Sequence, residues 1–184
     1  MRIIAGEFRS RPLKTLKGDT TRPTLDKVKE ALFSAMGGSF EGGNVLDLYA
    51  GSGAIGLEAL SRGMDHAYFS DSNKQAVSII KENINLLNVK DRCSVYPIKD
   101  EMMLKKMKEA NLQFSFIYLD PPYKKQKNLA LLEYIDLNDM VSQNGWVVIE
   151  SLQEETYQIT TLKHLQYVKE ATYGIMKLTY YRNK

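Results

Sequence analysis

From Asn44 to Glu150 the chain alternates short apolar segments with amphipathic ones, and few folds can use that order. NVLDLY, HAYFS, CSVYPI, FSFIYL and WVVIE read as strands. GAIGLEALSRG, NKQAVSIIKENINLL, EMMLKKMKEA and LALLEYIDLNDMV read as the helices between them, and the second carries Ala76, Ile79, Ile80, Asn83 and Leu87 at helical spacing. Strands that alternate with helices imply an α/β fold, a parallel sheet with helices on both faces. The end of the chain departs from this pattern. QYVKEATYGIMKLTYYR alternates at period two around Gly174 with no helix between, which predicts an antiparallel hairpin closing the sheet.

Ahead of this region, LDKVKEALFSAM places Val28, Leu32, Ala35 and Met36 on one helical face. Thr24 is expected to cap it and Gly37-Gly38 to stop it. Residues 1–22 read as a basic extension with β-capable stretches at Arg2–Ala5 and Pro12–Leu16, and residues 23–184 as one domain. A length of 184 residues suits that arrangement and can bury a real core. The net charge is only +3, but it is unevenly spread. Six basic and two acidic groups give residues 1–22 a charge of +4, which leaves −1 for the rest.

Cys93 is the only cysteine, so an internal disulfide is impossible and a reducing compartment is expected. His66 and His164 have no partner at ligand spacing, so no metal is expected. The opening MRIIAGEFRSRP is too short of apolar residues for a signal peptide, and no run is long enough to span a bilayer. These features together predict a cytoplasmic protein without membrane contact.

The segment VLDLYAGSGAIGLEAL sets Gly51, Gly53 and Gly56 between a strand and a helix, a G-x-G-x-x-G pattern for a nucleoside-containing cofactor. Ala50 and Ser52 complete the loop. Asp71, 20 residues beyond Gly51, suits a ribose hydroxyl pair, and Asp100 ends the next strand unit where adenine would lie. Asp47 narrows the choice. A pyrophosphate beside its carboxylate would feel a like charge, whereas the ammonium and sulfonium of S-adenosylmethionine would be favoured.

FSFIYLDPPYKK is the most specific signal in the chain. Its strand ends in Asp120, Pro121, Pro122 and Tyr123, and two prolines can continue neither a strand ladder nor a helix. The Pro121 carbonyl and the Asp120 carboxylate offer two acceptors, and Tyr123 a flat face. That set fits a planar substrate bearing an –NH₂ group, with both amine hydrogens held and the ring stacked. Guanine N2, adenine N6, cytosine N4 and a glutamine amide all satisfy this description.

On these motifs the chain resembles the S-adenosylmethionine-dependent class I methyltransferases with an [N/D]-P-P-[Y/F/W] loop. More narrowly, it resembles the bacterial 16S ribosomal RNA guanine-N2 methyltransferases of RsmD type. That resemblance rests on MRIIAGEFRSRPL, RPTLDKVKEALFSAM, DLYAGSGAIGLEALSRG, LDPPY and YGIMKLTYYR. It implies a Rossmann-like, seven-stranded, mostly parallel sheet and methyl transfer to the N2 amine of a flipped guanine in the small ribosomal subunit. By the same resemblance Asp47, Gly51 and Gly53 flank the cofactor, Asp71 meets its ribose and Asp100 its adenine. The chain departs from the family in having Ser70-Asp71 where a valine–glutamate pair is usual.

An RNA substrate needs a grip on phosphates, for which Arg2, Arg9, Arg11, Lys14, Lys17, Arg22, Lys124 and Lys125 are the expected residues, with Lys127 beside them. The partner is then 16S ribosomal RNA, free or within a small subunit, and the enzyme a monomer. A nicotinamide oxidoreductase and a non-catalytic RNA-binding domain are the competing classes. Asp47 and the double proline speak against the first, and an intact D-P-P-Y loop against the second.

Overall fold

In the computed structural model, residues 1–16, 23–121, 127–157, 159 and 161–184 are described. The chain divides into two compact units, Met1–Asp100 and Glu101–Lys184. In the first, α1 (Pro23–Ala35) precedes β1 (Asn44–Asp47), α2 (Ala54–Ser61), β2 (His66–Ser70), α3 (Lys74–Leu87) and β3 (Cys93–Tyr96). β1 pairs with β2 and β2 with β3, both in parallel. Helix α4 (Asp100–Glu109) begins at the division. The second unit then holds β4 (Phe114–Leu119), α5 (Asn128–Leu137), β5 (Val141–Leu152), β6 (Leu165–Tyr173) and β7 (Met176–Asn183). There β4 runs parallel to β5, while β7 lies antiparallel between β5 and β6. The expected seven-stranded, mostly parallel sheet with a C-terminal antiparallel hairpin is what forms.

Local chemistry explains most of the boundaries. Asn73 caps α3 by accepting the Gln75 N–H at 2.9 Å, and Asn88 ends it in the left-handed region. Helix α1 starts at Pro23, one residue ahead of the expected cap position; proline suits a first position because the N–H it lacks has no helical partner there. Strand β5 starts at Val141, where the sequence pattern predicts helix to that residue and strand only from Trp146. Phe114 pairs with Val141 but Phe116 with Trp146, so three extra residues bulge around Asn144, which takes φ +63°.

The basic N-terminal stretches meet in a single antiparallel bridge, Arg2 to Pro12, with Ile3 N–H bonded to the Arg11 carbonyl at 2.9 Å. Ile3 is fully buried and Leu13 nearly so. Among the groups that hold this hairpin is Glu58 of α2, itself 0% exposed. Its Oε2 accepts from the Ile4 N–H at 2.8 Å and from Lys29 Nζ at 3.1 Å. Its Oε1 accepts from the Ala5 N–H at 3.0 Å and Arg62 Nε at 2.8 Å. Four donors around one buried carboxylate satisfy it, which is the condition for burying a charge at tolerable cost. Burial still holds the Lys29 ammonium below its ordinary pKa, against the opposing pull of Glu58.

Candidate functional site

In the first unit the chain leaves β1 through Tyr49 and Ala50 into the glycine loop. The three glycines serve three different needs. Gly51 takes φ +54°, and a Cβ added there would meet nothing within 4 Å, so its backbone faces open space. Gly53 takes φ +78° at the N-terminus of α2, and its N–H bonds back to the Ala50 carbonyl at 2.6 Å. At Gly56 a Cβ would lie 2.4 Å from a Phe69 ring carbon, so α2 packs on β2 only without a side chain there.

Two carboxylates hold this loop in place. Asp71 accepts the Gly51 N–H on Oδ2 at 2.9 Å and the Asn73 N–H on Oδ1 at 2.8 Å. It is half-buried, which leaves part of the carboxylate open to solvent. Asp47 is buried at 2% exposure and accepts the Gly56 N–H at 3.1 Å. Burial pushes its carboxyl up to about 7, the Gly56 N–H opposes that, and the Asp71 charge adds to it. Asp100, half-buried, accepts a hydrogen bond from the Tyr49 hydroxyl, so a tyrosine just ahead of the glycine loop orients it. A loop with an open backbone edge, a carboxylate suited to a hydroxyl pair and a buried carboxyl suited to a cation fits S-adenosylmethionine.

In the second unit, β4 ends at Leu119 and delivers Asp120, half-buried, and Pro121, buried. Pro122, Tyr123, Lys124 and Lys125 lie outside the described residues, as do Lys17 and Arg22. The Tyr118 hydroxyl donates to Glu150 near the end of β5, a pairing no local motif announces. Lys127 Nζ pairs with Glu101 at 2.5 Å beside a cavity of about 440 Å³ lined also by Leu104, Leu131 and Tyr134. Among the expected phosphate contacts, Arg9 and Arg11 are exposed on the hairpin. Arg2 pairs with Asp26 at 3.1 Å and Lys14 with Glu82 at 2.7 Å. Among the described residues, no cluster of His, Cys, Asp and Glu could hold a metal ion, and no helix is long and apolar enough to cross a membrane.

Residues 1–182 match the profile of a family described as conserved hypothetical protein 95. The Bacillus subtilis (strain 168) protein YlbH is 40% identical over 184 residues, all of both chains. The Haemophilus influenzae protein named ribosomal RNA small subunit methyltransferase D is 29% identical over 183 residues, covering 100% of this chain and 94% of that one. The solved structure of Escherichia coli yhhF superposes with a TM-score of 0.84 at 24% identity, over 100% of this chain and 98% of the other. The shared architecture is that of the class I methyltransferases.

Proposed function

The chain belongs to the family described as conserved hypothetical protein 95, and we propose that it methylates ribosomal RNA of the small subunit, at the exocyclic N2 of a guanine. The reading is carried by the open, doubly anchored glycine loop of the first unit, and it draws as well on the Asp120-Pro121 exit that follows β4 in the second. The Haemophilus influenzae relative, named for small-subunit ribosomal RNA methylation, supports the substrate class. Guanine N2 is chosen among planar amines by the resemblance of the N-terminal, D-P-P-Y and C-terminal motifs.

S-adenosylmethionine supplies the electrophilic methyl group when bound. The chain's own residues would hold it: the Gly51–Gly53 backbone its methionine end, Asp47 its positive charges, Asp71 the ribose and Asp100 the adenine. Asp120 and the Pro121 carbonyl accept the two amine hydrogens, which orients the nitrogen lone pair, and Asp120 takes the proton that the methylated nitrogen releases. Tyr123 stacks on the extruded base. Arg9 and Arg11, with the basic residues around them, grip phosphates. The enzyme acts as a monomer in the cytoplasm.

The test is transfer of a radiolabelled methyl group to small subunits from cells lacking this protein, followed by nucleoside analysis. N2-methylguanosine is the expected product. N6-methyladenosine or N4-methylcytidine would keep the enzyme and overturn the base assignment, and label only in protein would overturn the RNA reading.

A further inference from the structure

Asn83 lies on the buried face of α3 and is 0% exposed. Its neighbours on that face, Ala76, Ile80 and Leu87, fill space with hydrocarbon. Asn83 does something else. Its Oδ1 accepts the Lys14 N–H at 2.8 Å, while its Nδ2 donates to the Lys14 carbonyl at 3.0 Å and to the Ser52 carbonyl at 2.9 Å. One side chain thus spends three hydrogen bonds on two segments that are 69 and 31 residues away. The pair on Lys14 imitates a strand partner, since a carboxamide presents the same donor and acceptor as a peptide.

The bond to Ser52 falls where the glycine loop has most freedom. Gly51 and Gly53 flank that residue, both at positive φ. The Ser52 carbonyl and the Gly53 N–H belong to one planar peptide and turn together. Its N–H end is fixed on Ala50 and its carbonyl end on Asn83. Asn83 therefore sets the tilt of this peptide plane and joins that tilt to Lys14. Lys14 lies beside Leu13, the last buried residue of the hairpin that exposes Arg9 and Arg11.

We infer that Asn83 is a positioning residue that makes cofactor binding and RNA binding cooperative, by joining the glycine loop to the basic N-terminal segment through one amide. The cooperative part rests on the proposed reading of the hairpin as an RNA contact; the link from loop to segment does not. Coupling of this kind is reciprocal, so each ligand tightens the other by the same factor.

Two measurements test it. The first is amide hydrogen exchange on the unaltered protein with and without S-adenosylhomocysteine, and without RNA. The cofactor product should slow the Lys14 amide more than the Leu165 amide, which is bonded to Asp136 in the second unit and reports general opening. Equal slowing, or none at Lys14, overturns the link, and this result stands whether or not any variant folds. The second is the affinity for S-adenosylhomocysteine with and without a 16S ribosomal RNA fragment. RNA should tighten binding about fivefold or more in the unaltered protein, within the usual range of coupling. Asn83→Ala should bring that factor near one. Asn83→Asp, of equal volume with at most one donor, should fall between. Unchanged coupling in Asn83→Ala overturns the proposal. RNA that fails to bind the unaltered protein overturns the RNA reading and the cooperativity with it, while the exchange result still judges the link.

Discussion

Asp47 is where residue chemistry sets the most testable behaviour. Its carboxyl, pushed up to about 7 by burial, holds a proton in the folded chain across a range where the unfolded chain has lost it. The folded state binds more protons there, so this group makes stability fall as pH rises from about 4 to about 7. Asp47→Asn removes that slope, and its stability relative to the unaltered protein should grow between pH 5 and pH 8 in denaturant titrations. Cofactor binding should show the opposite sign. A cationic ligand favours the ionised form, so calorimetric affinity for S-adenosylmethionine should rise toward pH 7, by at most about tenfold per pH unit, and level off above. Asp47→Ala should cost about 1–3 kcal/mol of that affinity at pH 8. Unchanged affinity would remove Asp47 from the site. Asp120 and Tyr123 should fail in different ways. In single-turnover methylation, Asp120→Ala should lose turnover with little change in RNA affinity, because its contact strengthens as charge grows on nitrogen. Tyr123→Ala should lose about 1–3 kcal/mol of base stacking, while Tyr123→Phe keeps the ring and stays largely active. If the phenylalanine variant is as inactive as the alanine one, the hydroxyl matters and the stacking role is wrong.

At the scale of elements, the N-terminal hairpin is held by a carboxylate on α2 that collects two backbone N–H groups and two cations. Glu58→Ala would take from the buried Lys29, 5% exposed, its paired carboxylate and leave the buried Arg62, 3% exposed, with the Glu30 carboxylate alone. Removing one partner of a buried pair costs about 3–5 kcal/mol, so a loss of that size is expected in chemical denaturation. A loss under about 1 kcal/mol, the range of exposed pairs, would mean that water reaches these groups when Glu58 is gone. Because Ile3 and Leu13 are core residues, the hairpin's RNA role is better tested by charge removal than by deletion. Arg9→Ala with Arg11→Ala should leave stability alone, since both are exposed. The salt slope of RNA binding should flatten by about 0.7–0.9 for each phosphate that these arginines no longer neutralise. An unaltered slope places the RNA grip elsewhere.

For the molecule as a whole, a ligand that binds only the folded chain adds stability by mass action, about 2.7 kcal/mol at a hundred times its Kd. For a chain of this size that corresponds to roughly 5–10 °C in melting temperature. S-adenosylmethionine should produce a shift of that order, and Asp47→Ala, at a loss of about 1–3 kcal/mol in affinity, should lose roughly a third to nine-tenths of it at the same concentration. No shift with the unaltered protein would count against the glycine loop as the cofactor seat. The order of strands and helices was legible in the sequence because periodicity is local: HAYFS, FSFIYL and the α3 pattern each declare their own state. The glycine loop was legible for the same reason, since it is contiguous. Tertiary structure alone decided what depends on segments far apart in the chain. It put Lys29, Glu58 and Arg62 together in the interior, extended β5 through a bulge to Val141, and raised the Asp47 carboxyl by burying it. It also turned Asn83, which periodicity reads as one more core position, into a tie between residues 14 and 52. Periodicity reports which face of an element is buried, but only the packed chain determines which donors and acceptors meet there.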